Sequence, residues 1–511
     1  TERCKGLRIV LTELLHVVSI NLEPGDDAQI IFETLNARGT PLLAMDLVKN
    51  AVFHRAERED PAATDALHHD VWEPELGRAY WREEQRQGRL KRPRAELFLM
   101  HWLTMRLGEV VAAGELFSTF RARVLDFEQT DAVAALIREL CADAGVMRGF
   151  DAFPPDGVEG RFFRRLAVLD TTTVLPVVLH LFRDPAIDVV ERRRALAALE
   201  SWLVRRMICG LTTKNYNRVA VELLEVAGQA GAGTVDAVIA KLDGWDAPTN
   251  RWPRDNEIEQ VLATRGMYGW IAQRRLVLVL AGVEARRRES AKTEAMLDPA
   301  ASLSLEHLMP QKWREHWPEL DGVVEADRDR RLHLLGNLTL VTSPLNGSLS
   351  NSAWAVKRGA LADHSLLLLN SELAKLEHWT DAAIDARCAS LAKEICAVWQ
   401  RPPTDRWLPS AQVLVTSARR SYSWTIADLI AAGKLTVGEE LRPCSERHTM
   451  PALVAEDGTL EIEGEPFTTP SGAAKRVSGT TSEAGWRFWC IQRNGARATL
   501  AELREELGEA E

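Results

Sequence analysis

A chain of 511 residues with 46% hydrophobic and 27% charged content is ordinary globular material, long enough for about three or four domains. Its formal net charge of −10 excludes a surface coated in basic residues for nonspecific nucleic-acid adhesion, although positive charge confined to a groove stays open. No apolar run reaches the ~18 residues that span a bilayer, so no membrane partner is expected.

The opening TERCKGLRIV has neither an initiator Met nor a signal-peptide layout, so further residues are expected before Thr1. The seven cysteines form no C-x-x-C pair. Neither a zinc knuckle nor a disulfide framework is expected, and the odd count fits a reducing, cytoplasmic setting.

In residues 1–58 the spacing of Ile30, Ile31 and Leu35 predicts a short helix that stops at Asn36-Ala37-Arg38-Gly39. A second helix is expected to start near Asp46. Residues 59–295 read as helix nearly throughout, rich in Ala, Leu, Arg and Glu and punctuated by clusters such as Phe153-Pro154-Pro155-Asp156-Gly157. Arg205-Arg206 and Lys214-Asn215 fit pairing with carboxylates or a helix C-terminus better than phosphate contact, and this region is expected to transmit a signal rather than do chemistry.

Residues 296–400 hold the chemistry. Leu303, Leu305 and Leu308 sit among polar residues, and Leu334, Leu335, Leu338, Leu340 and Val341 form a second apolar run. Ser343-Pro344 breaks that strand, and Asn351 or Ser350 would cap the amphipathic run through Trp354, Ala355 and Leu361. Such a β-β-α frame would bring His307 close to Asn337 and Asn346. The set suits phosphodiester hydrolysis. His307 would take a proton from water, while Glu306 and Asn346 would offer oxygens to a hard cation, Mg2+ or Mn2+. Asn337 would hold the imidazole or pin the loop.

Residues 401–412 (Arg401-Pro402-Pro403-Thr404-Asp405, then Pro409-Ser410) form a linker. In residues 413–511 a helix and Gly turn precede a hairpin at Glu456-Asp457-Gly458, a helix start near Pro470-Ser471 and the aromatic strand GWRFWCIQRNG. Trp486 and Trp489, three apart, cannot share a face of one strand and so read as core. Basic runs at 192–194, 286–288, 328–331 and 357–358 are either a DNA groove or solvated helix faces. Candidate phosphate contacts are Arg330, Arg331 and Arg358, with Ser471, Lys475 and Arg476 at a helix N-terminal end.

E-H-x-x-P at Glu306-His307, L-G-N-L-T-L through Asn337, then Asn346, Asn351 and Lys357-Arg358 resemble the C-terminal HNH (His-Me finger) nuclease domain of GmrSD-type modification-dependent restriction enzymes. The resemblance implies His307 as general base with Asn337 beside it, Glu306 and Asn346 as metal ligands, and Asn351 and Lys357 in support. Asn346 stands where a strict H-N-H signature has its last histidine. F-E-x-L-N-x-R-G-x-P-L-x-x-x-D-L-x-K-N resembles the end of that family's ParB-like N-terminal domain, with Phe32, Asn36, Arg38, Gly39, Asp46 and Lys49 matching. It implies a nucleoside triphosphate as second cofactor, although the family's D-G-Q-Q-R motif is absent. Leu199–Val219 is similar to the family's helical linker. Residues 413–511 resemble the RAMA domain, a proposed reader of modified DNA, through Gly433, Gly438, Asp457, Gly458, Ser471, Gly485, Trp486 and Trp489.

The fold class expected is therefore multidomain and mainly α, with a ββα-metal HNH nuclease domain and a small α+β C-terminal domain. The function expected is a DNA endonuclease of an anti-phage restriction system, acting on modified or phage DNA as a homo-oligomer or with partner defence proteins. A catalytically silent DNA-binding regulator and an HNH ribonuclease toxin are the alternatives.

Overall fold

The computed structural model of the chain describes residues 2–10, 12, 43–87, 90–126, 133–291, 303–317, 325–402, 425–445, 448–479, 485–493 and 496–503. Two compact units separate, Thr1–Arg406 and Trp407–Glu511. The described residues are mostly helical, with small antiparallel sheets, and none of their helices is long and apolar enough to cross a membrane.

In the first unit, α1 (Ala44–Glu59) begins two residues ahead of Asp46 and buries Met45, Val48, Ala51, Val52 and Ala56. That three-and-four spacing gives one apolar stripe. Farther along come α2 (Arg94–Leu107) and α3 (Val189–Ile208); Asp188 caps the latter by accepting from the Glu191 amide at 2.9 Å. Arg205 and Arg206, in the last turn of α3, are buried. Arg205 donates to Asp255 (2.6 Å) and Pro253 O (3.1 Å), and Arg206 to Arg251 O (2.8 Å), Thr212 O (2.7 Å) and Thr249 O (2.9 Å). Their cations satisfy interior carbonyls, as the structural reading expects.

After α4 (Asp255–Thr264) and α5 (Gln273–Ala291), the strands β1 (Leu303–His307) and β2 (Leu338–Thr342) pair antiparallel, with Leu305 opposite Leu340, Glu306 opposite Thr339 and His307 opposite Leu338. Between them lies α6 (Glu325–Leu332). Leu305, Leu338 and Leu340 join the main helical core, whereas Val341 joins a second cluster with Leu308, Met309, Trp313, Trp354 and Trp379. The ribbon is thus buried on both faces, which explains near-continuous apolar runs in place of clean alternation.

The chain then forms α7 (Ser343–Leu349), α8 (Trp354–His364) and α9 (Asp381–Val398). Asn346 lies inside α7. Neither Ser350 nor Asn351 caps α8, whose N-cap is Ala353 with no side-chain bond. Gly336 lets the turn before β2 touch α9: a Cβ there would sit 2.3 Å from Ile384 O and 2.6 Å from Cys388 Sγ.

The second unit holds α10 (Ile426–Ala431), β3 (Glu440–Pro443), β4 (Ala452–Val454), β5 (Leu460–Ile462), β6 (Glu465–Phe467), α11 (Pro470–Ser478), β7 (Trp489–Arg493) and β8 (Ala496–Thr499). The strands form one antiparallel sheet in the order β8-β7-β3-β4-β5-β6. The hairpin expected at 456–458 joins β4 to β5, with Gly458 at φ +79°.

Three details differ from expectation. The aromatic strand starts at Trp489, because Gly485–Phe488 turns as a short helix; Trp489 is fully buried and donates to Pro470 O at 3.1 Å. Lys475 and Arg476 fall in the last turn of α11, not its first, since the helix has only nine residues, and Arg476 faces Glu463 and Glu465. Cys444 and Cys490 are disulfide-bonded, because the pairing of β3 with β7 brings their Cα atoms to 5.2 Å.

Candidate active site

Side chains alternate along a strand, so Ser304 and Glu306 project from one face of β1 and Leu305 and His307 from the other. The two halves of the expected centre therefore stand on opposite faces of the ribbon.

On the first face, Glu306 and Lys357 are both buried and form an ion pair. Lys357 Nζ also donates to His307 O at 2.5 Å, tying α8 to the end of β1. Burial pushes the Glu306 carboxyl up and the Lys357 ammonium down, each against the pull of its partner. Asn346 reaches the same face, where its amide nitrogen donates to Ser304 Oγ (2.9 Å) and Leu305 O (3.1 Å).

A hard divalent cation needs several oxygen ligands and anionic charge. Here one carboxylate is already neutralised by an ammonium, and among the described residues no three His, Cys, Asp or Glu side chains are grouped to hold an ion. With the Glu306–Lys357 pair closed, these residues do not fit such an ion.

On the second face, the His307 ring packs edge-on against Tyr268 at 4.5 Å between centroids. His333 completes a triangle, 5.8 Å from His307 and stacked on Tyr268 at 5.7 Å. Tyr268 is placed by its backbone: the Met267 and Tyr268 amides donate to His333 O at 2.7 and 3.2 Å. Burial, then the charges of His333 and Lys357, hold the His307 pKa down to about 3, so the ring is neutral at ordinary pH. The Gln311 amide lies 3.5 Å from His307 Nδ1. His307 Nε2 is buried and has no hydrogen-bond partner among the described residues.

Asn337 is fully buried and does not reach the imidazole. Its oxygen accepts from the Met309 amide (2.7 Å) and Trp379 Nε1 (3.0 Å), and its nitrogen donates to Met309 O (3.0 Å) and Leu332 O (2.9 Å). Of the two roles expected for it, loop pinning is the one its contacts match, so it acts on His307 through the backbone. Asn351 accepts from the Lys312 amide at 3.4 Å, in the same loop.

The basic runs are largely engaged within the protein. Arg331 pairs with Asp385 (2.9 Å), Arg328 with Asp381 (2.7 Å), and Arg330 donates to Ala263 O (3.3 Å). Arg287 pairs with Glu394 (2.7 Å) and Arg193 with Glu159 (2.6 Å). Arg358 is half-buried, next to Lys357 in α8. In α1, Asp46 lies in the first turn and Lys49 pairs with Glu73 at 2.8 Å; Phe32, Asn36 and Arg38 lie outside the described residues. In the second unit, Ser471 Oγ accepts from the Gly485 amide at 3.2 Å.

Sequence reasoning missed Tyr268 and His333. His333 stands three residues before the L-G-N motif's glycine, a position that pattern could have flagged, whereas Tyr268 precedes the motifs by almost forty residues and only packing reveals it.

Residues 252–394 match the family model of the GmrSD restriction endonucleases, C-terminal domain, and residues 410–511 match that of the Restriction Enzyme Adenine Methylase Associated domain, RAMA. The first match takes in Tyr268, His307, His333 and Lys357 together. The family of that first match is one of restriction endonucleases, enzymes that act on DNA and generally use divalent metals. Together the two matches support a GmrSD-type restriction enzyme with a RAMA domain.

Proposed function

We propose that the chain cleaves DNA at an HNH-type ββα centre with His307 as general base. The observation that carries this is the neutral, buried His307 at the end of β1, its Nε2 free of any described partner. General-base action at Nε2 requires the tautomer with its hydrogen on Nδ1, which leaves the Nε2 lone pair free. A water O–H gives its proton to Nε2, the water oxygen bonds to phosphorus, and the P–O bond to the departing sugar breaks. The leaving oxygen takes its proton from solvent. A phosphodiester against the ring adds negative charge, which raises the imidazole pKa from about 3 toward the working range.

Dependence on Mg2+ or Mn2+ belongs to this reading only with the Glu306–Lys357 pair open, when Glu306 would hold the ion and the ion would stabilise charge on the phosphate. The RAMA domain would judge whether DNA is modified. Nucleotide control by the region around Asp46 and Lys49 is the remaining part of the proposal. The Glu306–Lys357 pair favours one rival, a DNA-binding regulator with a silent centre. Cleavage of modified and unmodified plasmid, with and without Mg2+ and nucleotide, tests the reading. Binding to both plasmids without cleavage under any condition would establish the silent regulator instead.

A further inference from the structure

His333 is not among the residues that the motif assigns a role. It follows α6 directly, and its carbonyl accepts the two amides that place Tyr268. Its side chain has a feature those contacts do not explain. His333 Nδ1 is buried without a hydrogen-bond partner among the described residues, as is His307 Nε2. Leaving a polar nitrogen buried and unpaired costs about 1–3 kcal/mol. Here two such nitrogens occur on rings 5.8 Å apart, steeply inclined at 78° and both packed on Tyr268. Burial holds the His333 pKa down, and the nearby Asp329 carboxylate offsets part of that effect, so this imidazole has an anion beside it.

We infer that His333 is a second imidazole of the hydrolytic centre, and that His307 Nε2 and His333 Nδ1 together hold the attacking water. The inference rests on the reading of His307 as the base. The water donates one O–H to His307 Nε2 and accepts from His333 Nδ1–H, which leaves one lone pair to attack phosphorus. Two polar partners are what a buried water needs to be held in place. Tyr268 is the positioning residue for both rings, so a residue ahead of the ribbon sets the geometry at its end.

The experiment uses the full chain and plasmid DNA with Mg2+ or Mn2+. It compares His307→Ala with His333→Phe, His333→Asn and His333→Gln. Phe keeps the ring on Tyr268 without nitrogen, Asn places an N–H near the old Nδ1, and Gln places one near Nε2. The expected result is a kcat about 10²-fold lower for His333→Phe. Its KM for DNA, Mn2+ affinity and melting temperature should match wild type. His333→Asn should recover roughly tenfold of the loss, and His333→Gln should not.

Wild-type kcat in His333→Phe would overturn the inference, as would equal rescue by Asn and Gln. A loss that follows Mn2+ affinity would make His333 a metal ligand and also overturn it. If the Phe variant does not fold, the Asn–Gln comparison decides. Wild-type cleavage by His307→Ala would instead remove the base assignment itself, whatever His333 does.

Discussion

Lys357 lies against Glu306 on the face of β1 opposite His307, and its ammonium also binds the His307 carbonyl. One cation therefore neutralises the only carboxylate of the hydrolytic motif and fixes the backbone of its proposed base. It links the two faces of the ribbon through a main-chain atom.

Lys357 and a divalent ion should compete for Glu306. Lys357→Met leaves a buried carboxylate without its partner, which costs about 3–5 kcal/mol of stability. The same change should tighten Mn2+ binding, read by the loss of the free-ion signal in electron paramagnetic resonance. In Glu306→Gln/Lys357→Met the stability should largely return and the gained affinity should vanish. Equal Mn2+ affinity in wild type and Lys357→Met would show that the pair does not guard the carboxylate.

His307→Ala should lower cleavage by ~10²–10⁴-fold, the usual worth of a positioned base. DNA affinity should barely move, while the melting temperature falls only by the loss of ring packing on Tyr268, since Nε2 has no described hydrogen bond to lose. Added imidazole should restore part of the rate. Unchanged cleavage would move the base elsewhere.

Acid should destabilise the helical region through His101. This side chain of α2 is 3% exposed, its Nε2 has no described partner, and burial pushes its pKa down to about 4. The unfolded chain takes up the proton near pH ~6.5 and the folded one only near 4. Stability is therefore lost as pH falls through that window, by roughly 3 kcal/mol at its lower end. Denaturant melts of wild type and His101→Leu between pH 7 and 4 should diverge as the pH falls, with wild type losing stability that the variant keeps. Parallel curves would mean that His101 is not what makes the fold acid-sensitive.

Removal of the second unit should change which DNA is cut, not whether DNA is cut. The two units have separate cores, and all residues proposed for hydrolysis lie in the first. The shortened chain must keep Arg401, which pairs with Asp243 at 2.6 Å. A chain ending at Pro402 should hydrolyse modified and unmodified plasmid with a rate ratio near one, measured at one fixed salt concentration. A ratio unchanged from full length would place the discrimination in the first unit.

Local patterns in the sequence were enough for the helix starting near Asp46, the β1–β2 ribbon, the break at Ser343-Pro344 and the hairpin at Gly458. Each is set by spacing over a few residues or by the φ of a single one. E-H-x-x-P and L-G-N also named Glu306, His307 and Asn337 together. What those residues face was decided by tertiary structure. Glu306 and Lys357 are 51 residues apart, and the four bonds of Asn337 include one to Trp379. Tyr268 reaches His307 only because both pack where helices and ribbon share a core. Adjacent positions in a strand point opposite ways, so neighbours in the motif became residents of two different faces. Buried polar groups must also find partners wherever packing brings one, at any sequence distance. That requirement gave the Glu306 carboxylate to a lysine, while His307 Nε2 and His333 Nδ1 find no partner among the described residues.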